Sequence, residues 1–133
     1  MQMTAFSSYI ESAIVEHFLR GNSIEVPTNQ FLALYTADPT DDNSPYECTF
    51  VGYTRMSSSW SPANALGETS NTNQIVFPPN SNPVDTVTVT HIAIFDSFTE
   101  GNMLIHGPVV EPKTIDPTDV FAAAPGQLIL TID

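Results

Sequence analysis

The chain has 133 residues, which is enough for one domain and too few for two of ordinary size. Hydrophobic residues make up 41% of it, so a folded core is expected despite 11 prolines. Fifteen acidic residues against three basic ones give a net charge of -12. Phosphate backbones and anionic membrane surfaces repel such a chain, which argues against nucleic-acid binding and membrane association.

The polar residues indicate the secondary structure class. Thr, Ser and Asn contribute 15, 12 and 9 residues. Thr favours pleated strands while Ser and Asn favour turns, so the composition predicts a β-rich fold.

The single cysteine and the N-terminus indicate where the chain folds. Cys48 has no partner for an internal disulfide, and no basic neighbour in sequence activates its thiol, so we interpret it as structural. Glu11 and Glu16 interrupt the N-terminal apolar residues, which is typical of neither a signal peptide nor a membrane-spanning helix. We expect folding and assembly in a host cytoplasm.

Residues 8–20 predict the one strong helix. Ser8 and Glu11 have the spacing of a capping box, and Gly21 is a typical helix stop. We expect the apolar stripe of this helix to pack against the β core or a neighbouring subunit. The stripe consists of Ile10, Ala13, Ile14, His17 and Phe18.

After the helix the pattern is one of short strands separated by turns. Residues 30–36 and 86–95 are the best of them, and in the latter the apolar parity changes. This change predicts a bulge near residues 90–91 or burial of the second half on both faces. Residues 59–73 have the composition of a polar loop. Weaker strands are expected at 48–58 around Tyr53, 74–77, 103–106, 109–110, 114–115, 120–122 and 127–132.

Seven or eight short strands after one helix predict a mainly β chain. We expect an antiparallel β-sandwich or jelly-roll-like domain that spans residues 1–133.

The sequence offers little for chemistry, and we expect neither an enzyme nor a bound cofactor. The three histidines lack the close spacing of zinc ligands. The two DPTD segments, 38–41 and 116–119, have the composition of type I turns. A weaker alternative for the first is a calcium site, because it clusters hard oxygen donors without the spacing of an EF-hand. Its ligands would be Asp38, Asp41, Asp42 and Glu47.

Four apolar or aromatic residues are candidates for an interface. Ile14 and Phe18 belong to the helix stripe, Tyr53 lies in the weak strand predicted at 48–58, and Trp60 is flanked by polar residues in a loop. An aromatic side chain in such a loop either anchors a protein or sugar contact or folds back onto a sheet edge.

An ordered series of segments carries a resemblance to a known family over nearly the whole chain. The chain resembles small tailed-bacteriophage virion structural proteins, which are often labelled tail fibre proteins. The resemblance implies a non-enzymatic, multicopy component of a phage particle. The segments are EHFLRG (16–21), FLALYTADPTD (31–41), GYTR (52–55), QIVFPP (74–79), VTHIAIFDS (89–97), GNMLIHGPV (101–109), PKTI (112–115) and LILTID (128–133).

This resemblance leaves more than one function open. The first hypothesis is a subunit on the virion exterior, either a tail or fibre-attachment component or a capsid decoration (cement) protein. It implies other virion proteins as partners and a homo-oligomeric arrangement in the particle. The alternative is a receptor- or glycan-binding module of the adsorption apparatus, with Trp60 and Tyr53 on its binding face.

Overall fold

The computed structural model describes residues 2–132 of the chain, and within them the fold is mainly β. The one helix of this range contacts β1 and β7 and is too short to cross a membrane. In chain order the elements are β1 (Gln2–Phe6), α1 (Ser8–Arg20), β2 (Gln30–Tyr35), β3 (Met56–Ser58), β4 (Glu68–Ser70), β5 (Ile75–Val76), β6 (Val87–Phe95), β7 (Met103–Ile115), β8 (Ala122–Ala123) and β9 (Ile129–Ile132).

Seven strands form one curled sheet in the order β3-β2-β6-β7-β1-β9-β4. All neighbours are antiparallel except β1 and β9, which run parallel. Strands β5 and β8 form a separate antiparallel pair. Ile75 and Ala123 of this pair share a core cluster with Leu32 and Ile92 of the large sheet, so the main core lies between the two sheets.

The helix spans the predicted residues 8–20, but its cap differs from the prediction. Ser7, and not Ser8, is the N-cap, because its side chain accepts a hydrogen bond from the Ile10 amide. Gly21 ends the helix as predicted, with a φ of 75° in the left-handed region. Its amide and that of Asn22 donate to the last free carbonyls of the helix.

Of the two partners expected for the helix stripe, the β core of this chain does not cover Phe18, which leaves a neighbouring subunit as its expected partner. Ile10 packs against the main core and Ile14 is half-buried, but Phe18 is 75% exposed. The helix has no fully buried residue. Stabilisation of the core therefore comes from the sheet, and truncation of Phe18 in the free chain should cost little.

Strand β6 contains the predicted bulge and is also buried on both faces. The pairing with β7 shifts between Val89 and His91. This shift compensates for the change from odd to even apolar positions along the strand. Val89, Ile92 and Ile94 therefore all point into the main core. Ala33 of β2 and Phe95 of β6 point to the opposite face, where a second, smaller buried cluster lies. The central position of β6, between β2 and β7, explains this two-sided burial.

Three strand assignments from the sequence need correction. Residues 103–115 form one strand, β7, instead of three, because pairing with β6 resumes after an irregular stretch. Tyr53 follows a turn at residues 51–52 and lies outside any strand, so the predicted strand around it is confined to β3. Strands β1 and β4 were not predicted. Both pair with β9 at the far end of the chain, so long-range hydrogen bonds form them and no local apolar pattern marks them.

The β6–β7 turn depends on Gly101. Its φ is 72°, and a Cβ atom there would lie 2.5 Å from Ser97 Cβ and 2.6 Å from Asp96 Oδ1. Gly67 has a similar φ of 76° but open space around it. We predict that Gly67→Ala costs about 1–2 kcal/mol through the left-handed backbone alone. Gly101→Ala should cost about 2–5 kcal/mol, because a steric term is added.

Urea unfolding of the two variants measures this difference. Equal losses at the two glycines would contradict the tight turn described for the β6–β7 connection.

Candidate docking interface

The acidic loop after β2 is held by contacts within the chain. Asp38 accepts a hydrogen bond from the Thr40 amide at 2.8 Å, as expected for a turn-capping aspartate. Asp41 Oδ1 lies 2.7 Å from Nε2 of His106, a largely buried side chain of β7. This contact joins residues 65 positions apart, so the loop is fastened to the large sheet.

The same loop is fastened to the start of the helix. The Ser8 amide donates to the Asp41 carbonyl, and Ser8 Oγ donates to Asp42 Oδ1, each at 2.9 Å. Asp41 and Asp42 therefore position α1, a role that their separation from the helix in sequence did not reveal.

The predicted calcium ligands do not converge. Glu47 is bound to Arg55 and Tyr53, whereas Asp41 and Asp42 hold His106 and Ser8. Across residues 2–132 the structure contains no group of three or more His, Cys, Asp or Glu side chains suited to a metal ion. The four candidate ligands therefore do not form one site among the described residues.

A buried ion pair lies between the β2–β3 connection and the β6–β7 turn. The side chain of Arg55 is 8% exposed, and its Nε and Nη2 each lie 2.9 Å from a Glu47 carboxylate oxygen. Its Nη1 donates to the carbonyls of Ser97 at 3.0 Å and Glu100 at 2.7 Å. The guanidinium carbon lies 3.6 Å from the centre of the Phe95 ring. Arg55 therefore covers the smaller core cluster.

The side chain of Tyr53, an interface candidate from the sequence, takes part in the same hydrogen-bond network. Its hydroxyl donates to Glu47 Oε2 at 2.7 Å and accepts from the Leu34 amide at 3.2 Å. Burial and then the hydrogen bond to Glu47 raise the pKa of Tyr53. Burial lowers the pKa of Arg55, but the hydrogen bond and the charge of Glu47 raise it more, so the guanidinium stays charged.

Trp60, the other aromatic candidate, folds back at a sheet edge. Its ring is half-buried against the main core, and its Nε1 donates to Ser58 Oγ at 3.0 Å. An isolated bridge with Asn71 holds its backbone. The polar atoms of Tyr53 and Trp60 are thus both engaged within the chain.

Cys48 is buried within the fold, and His17 and His91 have hydrogen-bond partners within the chain. Burial, with the charge of Glu47 as the second cause, raises the pKa of the Cys48 thiol from 9.0 to about 12. Nδ1 of His17 lies 2.8 Å from the Asn22 carbonyl, and Nδ1 of His91 lies 2.8 Å from Thr90 Oγ1.

One side of α1 is left apolar and exposed. Val15, Phe18 and Leu19 are 50%, 75% and 80% exposed, and we call them the outer helix face. They lie at positions i, i+3 and i+4, so they are neighbours on the helix surface. Of the predicted interface residues only Phe18 belongs to this face. Val15 and Leu19 were missed because they lie outside the predicted stripe. The sequence does carry a signal for them, since both are apolar residues on the same helix.

Exposed acidic residues precede and follow the outer helix face along the chain. Glu11 is exposed one turn before Val15, and Glu25 is exposed in the segment after the helix. Glu16 is paired with Arg20 at 2.9 Å. Exposed carboxylates therefore flank this apolar face along the chain, and we call Glu11 and Glu25 its acidic rim.

These features define a small acidic β protein whose buried polar groups hold the fold and whose exposed helix is available for contacts. A family model described as Podophage GP4 fiber I protein gp80 (Gp80) matches residues 5–131. The chain belongs to this family, which confirms the resemblance found in the sequence and shows a phage tail-fibre-type structural protein of the virion that associates with other virion proteins. The comparison with curated proteins found no match.

The buried and the exposed ion pair allow a matched test. Removal of Arg55 leaves the Glu47 carboxylate without its charge partner, so Arg55→Met should lower the free energy of unfolding by about 3–5 kcal/mol. Arg20→Met removes an exposed pair of the same 2.9 Å length and should cost less than about 0.5 kcal/mol. Chemical denaturation measures both, and similar losses would refute the distinction.

The thiol environment is tested by alkylation at pH 8. With the pKa at about 12 instead of 9.0, the thiolate share of Cys48 falls about 1000-fold, and burial adds a steric barrier. Native protein should therefore react with iodoacetamide at least about 1000-fold more slowly than urea-unfolded protein. The control is a folded double variant, Cys48→Ser with Ser57→Cys, whose exposed thiol should react quickly. Rapid reaction of native Cys48 would contradict the assignment.

Proposed function

We propose that the chain is a non-enzymatic subunit of the tail fibre apparatus that attaches to other virion proteins on the particle exterior. The observation that carries the proposal is the contrast between its buried polar groups, which are engaged within the fold, and its exposed apolar helix face. The side chains with potential for chemistry, such as Cys48, Glu47 and His106, are engaged in holding the fold. The outer helix face contributes little to the core and is free for assembly.

The proposal favours attachment over receptor binding. A glycan-binding face built on Tyr53 and Trp60 would need their rings and polar atoms to face solvent. Both rings instead pack on the core, and their polar atoms bond to Glu47, Leu34 and Ser58. Membership in a fibre family favours the tail over capsid decoration.

We further propose that the chain folds in the host cytoplasm and that several copies act in each particle. The buried, protonated Cys48 suits a reducing compartment, because the fold uses its thiol as an apolar group. The net charge of -12 keeps free copies apart before assembly.

Copy number and position in purified particles test the proposal. We expect quantitative mass spectrometry to give a few to a few dozen copies per particle. Electron microscopy of particles from a gene-deleted infection should show density missing at the tail. Hundreds of copies on the head would identify a decoration protein, and binding of the isolated chain to host glycans would favour the receptor-binding alternative. Either result would contradict the proposal.

A further inference from the structure

The fold leaves the outer helix face without an internal role. Val15, Phe18 and Leu19 keep at least half of their surface in solvent, although Ile10 on another side of α1 packs on the core. An amphipathic helix that binds a partner groove uses anchors at this i, i+3, i+4 spacing. The helix thus has one apolar side for its own sheet and a second for another molecule.

The position of the face is fixed by the rest of the structure. Ser7 caps the helix, and Ser8 is bonded to Asp41 and Asp42 of the acidic loop. Asp41 in turn contacts His106 in the large sheet. Because the helix is anchored at its start and ends at Gly21, the outer helix face is presented on a preformed element, which reduces the entropy lost on binding.

The charges around the face indicate the chemistry of its partner. Glu11 is exposed one turn before Val15 and Glu25 is exposed five residues after the helix ends, while the positive charge of Arg20 is paired with Glu16. A surface that fits here needs an apolar groove for the three side chains and basic residues around that groove.

We propose that the outer helix face docks into an apolar groove with a Lys- and Arg-rich rim on a different virion protein. This inference rests on the proposed function and names the docking element and the kind of partner. Burial of Phe18 and Leu19 supplies affinity, and the acidic rim supplies orientation and speed of association.

A second copy of this chain is a poorer occupant. Each chain carries a net charge of -12, so two copies repel one another. Three side chains also cover only a fraction of the roughly 800 Å² per partner that a stable interface buries. The surrounding area must therefore match in charge, which a basic partner provides and an acidic copy does not.

Incorporation into particles tests the apolar centre. Variants Phe18→Ser and Leu19→Ser are produced in an infection that lacks the wild-type gene, and copies per particle are counted by mass spectrometry. We expect a loss of about tenfold or more, as for anchor residues of an interface. Leu66→Ser and Val84→Ser, at 76% and 78% exposure elsewhere on the chain, should incorporate normally.

All four variants should keep the wild-type unfolding temperature, because the replaced side chains are exposed. Normal incorporation of Phe18→Ser and Leu19→Ser would overturn the docking proposal. The head or tail position of the wild-type chain tests the proposed function separately, so the two failures are distinguishable.

Crosslinking and the salt dependence of release identify the molecule that binds the outer helix face. A photoreactive benzoylphenylalanine in place of Phe18 should crosslink, in intact particles, to another virion protein at a segment that contains Lys or Arg. Glu11→Gln combined with Glu25→Gln should flatten the salt dependence of release from particles, whereas Glu111→Gln on β7 should not. A crosslink to a second copy, or salt dependence unchanged in the double variant, would overturn the proposal.

Discussion

The buried pair of Arg55 and Glu47 is the interaction on which the central sheet depends. The pair by itself adds little net stability, because both charges lose their hydration. Its value lies in its geometry, since one guanidinium joins the carboxylate after β2 to the carbonyls of Ser97 and Glu100 in the β6–β7 turn. The main core buries one face of strands β2 and β6. Arg55 covers the Phe95 ring in the smaller cluster on the opposite face, so these strands are buried on both sides. A central strand with large apolar residues on both sides is possible only where such a cover exists.

This use of Arg55 leaves few positive charges on the exterior. The chain has only three basic residues, and the other two are also engaged, Arg20 with Glu16 and Lys113 with its ammonium 5.9 Å from the centre of the Phe121 ring. Burial of Arg55 with Glu47 removes one charge of each sign, so the surface keeps the whole net charge of -12. The division of charge between interior and surface thus follows from the packing of the sheet.

The parts of the fold that the sequence predicted are those that local patterns determine. The bounds of α1, the strand β2 and the bulge in β6 follow from period and parity within about ten residues. Strand β1 was missed because its partners lie in β7 and β9, about 100 residues or more along the chain. For the same reason the contact between Asp41 and His106 was not predictable, and the acidic loop was interpreted as a possible metal site. Phe18 was recognised as an interface candidate, but the assumption of a single apolar stripe hid Val15 and Leu19.

The acidity and the apolar helix face make sense together. An exposed apolar surface such as the outer helix face favours self-association of a multicopy protein. Charge repulsion opposes this only over short distances, because the Debye length is about 8 Å at physiological ionic strength. Charges that protect the outer helix face must therefore lie close to it, and the exposed Glu11 and Glu25 flank it along the chain. The same short range restricts electrostatic attraction to a partner whose basic groups meet these two carboxylates when the groove is aligned with the helix. The same carboxylates thus repel a second acidic copy of the chain and attract the proposed basic partner.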